Sequence, residues 1–350
     1  MLENTLYMYF VRRIKDNINI AVPIIFSFLV IISINAMLVT TNNNYYNTTN
    51  LAYGQPNQMN SITSNQIDIY KIPVEKVHVD DIDIAYKTFG NGSNIILLIS
   101  GGSNTMNFWD PHLLNELSTN NTVLVYDSRG IGNSTSGNKP FSIKQFANDT
   151  VGLLDALKIN KEIDILGFSL GSLVAQEIAY MQPERVNRLI LYGSLCGGKE
   201  AILPSPMLLR FIDMLENPEM KNTSDIQRGK ILSDVLFPKE WMQENPNYLE
   251  RLPKQGVSIN PIDATQLKEA FFNWVQTQSC DKLNTIKAPT LVIVGTADIA
   301  TQPGNSLNLV QRIPGAWLVQ IKGGGHGLMF QYPEEFARVV QTFLTTTPTS

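Results

Sequence analysis

From about Asp68 onward, short apolar or alternating runs take turns with stretches whose apolar residues recur at helical spacing. That pattern predicts an α/β protein built on a mostly parallel sheet with helices on both faces. Val74 to Val79 and Ile82 to Phe89 read as an opening antiparallel pair around Asp80 and Asp81. Ile95 to Ser100, IILLIS, is apolar throughout, as suits a strand buried on both faces. Further strands are predicted at Val123 to Tyr126, Ile163 to Leu166, Arg188 to Tyr192, Thr290 to Val294 and Trp317 to Ile321, which makes a sheet of eight. Helical periodicity covers Ser142 to Leu157, Leu170 to Met181 and Pro333 to Phe343, the last opening on a proline, which a helix start tolerates.

The alternation stops between Glu200 and Asp281, where helical pieces such as Met207 to Leu215 and Leu267 to Val275 are separated by prolines. We therefore expect residues 68–199 and 282–350 to form the core, with 200–281 a helical cap inserted after the sixth strand. The N-terminal part has another pattern. Arg12, Arg13 and Lys15 precede Ile20 to Val39, 20 residues without a charge. As a helix this run would cover roughly 30 Å, enough to span a bilayer. It exceeds the usual core of a signal peptide, and no small-x-small cleavage pattern follows it.

We expect a cytoplasmic segment at 1–19 and an uncleaved signal-anchor at 20–39, with a cleaved signal peptide and secretion as the alternative. Basic residues before the span favour an extracytoplasmic position for all that follows. Residues 40–67, polar and without an apolar period, read as a solvated tether. N-x-S/T sequons at Asn47, Asn91, Asn120, Asn133, Asn148 and Asn222 are weak support for export in so asparagine-rich a chain.

The chemistry concentrates where the run Ile163 to Leu166 meets the helix at Leu170. The junction, Gly167-Phe168-Ser169-Leu170-Gly171, has the G-x-S-x-G form of a nucleophile elbow, which holds a serine on a sharp turn with its hydroxyl exposed. A Cβ at either glycine would collide with neighbouring elements. An alcohol is a poor nucleophile at neutral pH, so Ser169 needs a base. The chain has three histidines, and His326, in GGGHG, lies alone beyond the elbow. Asp298, just past a strand end, is the candidate to orient the imidazole, with Asp281 a possible substitute. Ligands of open α/β sheets bind at the carboxyl ends of the strands, where these three residues are predicted to lie.

Composition narrows the partners. Of 350 residues 43% are hydrophobic and 17% charged, enough for a large core. A net charge of -4 gives no reason to expect nucleic acid. The two cysteines, Cys196 and Cys280, lack zinc-ligand spacing, and no metal or cofactor is expected. They bracket the cap, but Cys196 is expected at the top of the sheet and Cys280 low on a descending helix, so we expect them to stay unbridged.

Four landmarks occur in order: SGGS after the third strand, DSRGIGNS after the fourth, GFSLGS at the elbow, and VGTAD followed by GGGHG. On these the chain resembles the α/β-hydrolase family, in its serine-nucleophile branch with a cap, from about residue 74 to 345. The order Ser, Asp, His is that of this fold. The resemblance implies a Ser169, Asp298 and His326 triad. It also implies an oxyanion hole from the N–H of Gly102 and that of Leu170, which follows the nucleophile. Relatives usually carry His-Gly where this chain has Ser100-Gly101, which bears on loop geometry rather than on the triad.

Phe108 and Trp109 are candidate walls of an acyl pocket, with Met207, Phe211, Trp241, Phe271 and Trp274 from the cap. Asp127, Arg129, Gly130 and Gly132 read as a turn with an internal ion pair, and His78 and His112 as structural. The expected function is hydrolysis of a small acyl substrate, a carboxylic ester or thioester, through an acyl-enzyme. A perhydrolase, haloperoxidase-like or aminopeptidase branch is the alternative with the same triad. From another class, the chain could be a catalytically silent extracellular binding module.

Overall fold

The computed structural model describes residues 67–217, 225–254, 258, 259 and 261–346. The expected membrane span, the segment before it and nearly all of the tether lie outside the described residues. Within the described residues no helix is long and apolar enough to cross a membrane.

Eight strands form one sheet: β1 (Glu75–Val79), β2 (Ile82–Phe89), β3 (Asn94–Ile99), β4 (Asn121–Tyr126), β5 (Ile163–Phe168), β6 (Val186–Tyr192), β7 (Thr290–Gly295) and β8 (Trp317–Ile321). Their spatial order is β1-β2-β4-β3-β5-β6-β7-β8. The first two pairings are antiparallel and the others parallel. The central strands are apolar over most of their length because both faces are covered. Along β3, Leu97 and Ile99 enter one core layer while Ile96 and Leu98 enter the other, the two-residue period of a strand. Each such side chain, fully withdrawn from water, contributes roughly 2 kcal/mol of transfer free energy.

Helices α1 (Pro111–Asn120), α2 (Ile143–Ala156) and α3 (Leu170–Met181) make the successive connections from β3 to β6. Two of them start on side-chain caps. Asp110 accepts from the N–H groups of His112 (2.9 Å) and Leu113 (3.1 Å) ahead of Pro111, and Ser142 accepts from that of Gln145 at 3.0 Å. Burial outweighs those N–H donors at Asp110 and pushes its pKa up to about 6.

Between β6 and β7 the chain makes α4 (Pro206–Leu215), α5 (Asp225–Leu236), α6 (Lys239–Glu244) and α7 (Pro261–Val275). This helical excursion is stitched to the loops after β3 and β4. Ser258 N–H donates to Ser103 O (3.1 Å), Gly132 N–H to Ser258 O (3.0 Å), and the Ser136 hydroxyl to Asp263 (2.7 Å). After β7 come α8 (Pro303–Val310), β8, α9 (Leu328–Gln331) and α10 (Pro333–Thr345).

The cysteines are joined, contrary to expectation: Cys196 and Cys280 form a disulfide with Cα atoms 5.0 Å apart. The reason lies in how the excursion returns. After α7 the chain enters a short 3-10 helix, Ser279–Thr285, docked beside the end of β6 rather than at the far end of the sheet. There the Cys280 N–H donates to Gly197 O (3.0 Å), and the Gly197 N–H donates to the Ser279 hydroxyl (2.6 Å). The start of this 3-10 helix is thus fastened to the loop that leaves β6, before the chain runs on to the start of β7.

Candidate active site

Ser169 stands between β5 and α3 with φ +51° and ψ -122°, a backbone conformation that costs a non-glycine residue on the order of 1 to 3 kcal/mol. The turn is held by the Ser169 N–H donating to Tyr192 O at 2.9 Å and the Ser172 N–H donating to Ser169 O at 2.9 Å. Both flanking glycines are sterically required. A Cβ on Gly167 would lie 2.6 Å from Gly171 O and from Ser172 Cα, and one on Gly171 would lie 2.2 Å from Ile99 O.

Two other loops converge on the same end of the sheet. The loop after β7 is bonded to the loop after β8 through Thr296 N–H to Ile321 O (3.0 Å), Ala297 N–H to Gly324 O (2.8 Å) and Gly323 N–H to the Thr296 hydroxyl (2.9 Å). This places Asp298 and His326 side by side, with Oδ2 to Nδ1 at 2.8 Å. Asp298 is buried, and every bond it makes is to a donor. Oδ1 accepts from the N–H groups of Ala300 and Thr301, both at 2.8 Å, and Oδ2 also accepts from the Thr301 hydroxyl at 2.9 Å. Against an acceptor-only carboxylate Nδ1 must be the protonated nitrogen, so Nε2 is left with its lone pair free. Asp281, the possible substitute, is instead exposed on the 3-10 helix at the foot of the excursion.

The imidazole rests on the Phe168 ring at 4.8 Å between centroids, and the buried Tyr192 hydroxyl donates to the His326 carbonyl. Burial pushes the Tyr192 pKa well above its ordinary value, so this donor stays protonated. Gly193, at φ +55°, passes so close that a Cβ there would sit 2.9 Å from His326 Cε1. Ser169, Leu170, Gly101, Gly102 and His326 share the wall of one cavity, while Asp298 lies behind the imidazole.

The loop before Gly102 departs from the His-Gly pattern, and its hydrogen bonds show how it is held. The Ser100 hydroxyl donates to Asn104 O (2.9 Å), and the Asn104 N–H donates to Gly101 O (2.8 Å). Gly102 takes φ +32° with open space where a Cβ would be.

Phe108 and Trp109 do not line the cavity, which corrects their expected role. The Met106 N–H donates to Asp127 Oδ1 at 2.7 Å, which draws the chain down over the end of β4. Phe108 then stacks on the buried side of Phe168 (5.8 Å) and meets Phe330 edge-on (5.2 Å), while Trp109 meets Phe168 at 6.4 Å. Both are core residues. Of the other aromatic candidates Phe271 lines the cavity, whereas Trp241 and Trp274 are buried in the core clusters. The side chains of Met207 and Phe211 lie outside the described residues.

His78 pairs with Asp83 at an exposed hairpin, and His112 sits in the first turn of α1. Asp127 also accepts from the Asn133 N–H at 2.8 Å, so it shapes the loop as expected.

Thr301 was missed by sequence reasoning, although its position three residues after an aspartate is the spacing of a local side-chain turn. Its hydroxyl, 2.9 Å from Asp298 Oδ2 and 3.3 Å from His326 Nδ1, makes it a positioning residue. Thr301→Val is expected to lower kcat about tenfold with KM unchanged, the loss of one hydrogen bond to a charged group. Thr301→Ser should restore the rate, as steady-state kinetics would show.

No group of three or more possible metal ligands occurs among the described residues. Residues 94–333 match the model of the alpha/beta hydrolase fold family. The chain is 26% identical to a putative carbamate hydrolase, RutD, of Azorhizobium caulinodans, over 76% of this chain and 96% of that one. It is 25% identical to the pyrrolizixenacetamide deacetylase of Xenorhabdus hominickii, over 77% and 98%. Among solved structures, an alpha/beta hydrolase fold protein from Chitinophaga pinensis superposes with a TM-score of 0.66 at 25% identity, covering 80% of this chain and all of that one. The strand order, the strained serine turn and the family match agree, and the membership supports hydrolase activity: the chain belongs to the alpha/beta hydrolase fold family.

Proposed function

We propose that the chain is a serine hydrolase that cleaves a carboxylic ester or thioester through an acyl-enzyme on Ser169. The observation that carries this reading is the 2.8 Å contact between Asp298 and His326, on an imidazole that shares a cavity wall with the strained Ser169. In the first half-reaction Ser169 Oγ attacks the substrate carbonyl carbon as its proton passes to His326 Nε2. The tetrahedral oxyanion is met by the backbone N–H groups of Leu170 and Gly102, each such donor being worth about 3 kcal/mol in the transition state. The carbon–oxygen or carbon–sulfur bond to the leaving group breaks, and the imidazolium returns the proton to it.

Water then repeats the sequence in reverse roles. It gives its proton to His326, adds to the acyl carbon and expels Ser169 Oγ, which recovers its proton. Asp298 holds the ring and stabilises the imidazolium without being protonated. A carbamate hydrolase and a deacetylase among the relatives are consistent with carbonyl chemistry of this kind. The Cys196–Cys280 bridge supports an oxidising, extracytoplasmic setting.

A fluorophosphonate probe tests the reading. The purified protein should be labelled on Ser169, as read by peptide mass spectrometry, and Ser169→Ala should take up no label. Absence of label on the wild-type chain, or equal labelling of the variant, would overturn it.

A further inference from the structure

The cavity that Ser169 and His326 share is lined by two kinds of surface. Gly101, Gly102 and Asn104 of the loop after β3 give part of it a polar character. The excursion contributes mainly apolar side chains, among them Leu208 and Ile212 of α4, Leu232 of α5, and Leu267 and Phe271 of α7. Among the described residues on this wall one side chain carries a full charge, Lys268 of α7. Its ammonium is already engaged: it donates to Asp213 Oδ1 at 2.6 Å and to Glu216 Oε2 at 3.0 Å. The trio of one cation and two carboxylates is net negative, and it leaves the methylene stem of Lys268 to face the cavity as further apolar surface.

Resting on the serine-hydrolase reading, we infer that the acyl group this site accepts is neutral, apolar and short, and that acyl chains ending in a carboxylate are rejected. An anion entering this wall would lose its water and meet no free cation among the described residues, a penalty that an apolar chain escapes. The cavity measures about 110 Å³. An apolar cavity of about 150 Å³ admits benzene, so the straight chain that fits here has roughly four to six carbons. Asp213 and Glu216 are then specificity determinants that act through Lys268, keeping its charge from serving as an anchor for an acid.

The test compares p-nitrophenyl hexanoate with the mono-p-nitrophenyl ester of adipic acid, equal in length and differing by the terminal carboxylate, on the full-length protein. The hexanoate is expected to have a kcat/KM about a hundredfold higher, because an unpaired carboxylate must be buried for the adipate to react. Among acetate, hexanoate and dodecanoate esters, hexanoate should be the best. Asp213→Asn combined with Glu216→Gln frees the lysine and should narrow the hexanoate-to-adipate ratio about tenfold, the effect of one charge-assisted hydrogen bond from the freed ammonium to the acid. Leu267→Trp, which takes up space in the apolar lining, should lower the hexanoate-to-acetate ratio; fluorophosphonate labelling of the same preparation shows whether the variant is folded.

Equal turnover of the two esters by a labelled wild-type enzyme, or a ratio that the double variant leaves unmoved, would overturn the inference while the hydrolase reading stands. Should the serine prove inert, calorimetry on Ser169→Ala decides the cavity by itself. Binding of hexanamide in preference to adipamic acid upholds the inference, and equal binding or none overturns it.

Discussion

Replacing Ser169 with alanine is expected to lower turnover of a reactive ester about a million-fold, the size of loss that follows removal of a triad nucleophile. The fold should be untouched. Alanine keeps the Cβ and suffers the same φ of +51° as serine, and the bonds that hold the turn come from backbone groups and from Ser172 rather than from the Ser169 hydroxyl. A residual rate roughly a thousandfold above water is expected, because the N–H groups of Leu170 and Gly102 remain in place. Steady-state kinetics on the variant, with its melting temperature as the check on folding, reads both effects. Asp281→Asn is the control, since that carboxylate is exposed away from His326. A Ser169→Ala enzyme within tenfold of wild type would show that another group attacks the carbonyl.

The largest expected loss of stability lies elsewhere, at Arg129. Its side chain is fully buried, and its guanidinium uses all five N–H donors. Nε and Nη2 donate to Asp149 at 2.8 and 2.7 Å, Nη2 and Nη1 donate to Asp81 at 2.7 and 3.1 Å, and Nη1 also donates to Ser136 O at 2.9 Å. These bonds tie the β1–β2 turn and α2 to the loop after β4 whose Asp127 shapes the chain beyond Gly102. Arg129→Ala leaves the Asp149 carboxylate, 3% exposed, without its counter-charge, which costs roughly 3 to 5 kcal/mol. In a domain of this size that lowers the melting temperature on the order of 10 °C.

Arg129→Lys is expected to recover part of the loss, since a lysine keeps the charge but cannot reproduce the planar fork. The acid range offers a second readout. The hydrogen bond from Arg129 holds the Asp81 carboxyl well below its ordinary pKa of 3.8, so its contribution to stability is complete above that pH and is lost as pH falls through the lowered value. Arg129→Ala should flatten this part of the curve of stability against pH.

The contrast between what could be read in advance and what could not follows the range of the interactions. Ile96 to Ile99 were legible because every residue of a strand covered on both faces is apolar, a property written in consecutive positions. The elbow was legible for the same reason, its requirement for two glycines being met within five residues. Asp298 and His326 could be placed because each closes a strand of one parallel sheet, and strands of such a sheet end on one edge.

Phe108 and Trp109 went the other way because their direction depends on Asp127, which lies 21 positions beyond Met106, pulling that residue's N–H down. The link between Arg129 and Asp81, 48 positions apart, left no local trace either. The disulfide was hidden most deeply. Whether two cysteines meet across 84 residues depends on the return path of a proline-broken excursion, and no periodicity encodes a return path.

That bond also alters what the polypeptide is as a covalent object. From 196 to 280 the backbone forms a closed ring hung from the edge of the sheet, and the helices that roof the cavity are beads on it. A protease nick anywhere along the ring would produce two fragments that still travel as one molecule until a reductant is added. The roof can therefore tolerate a cut that would sever an open lid, and its tilting must pivot about a base whose two ends are fastened together.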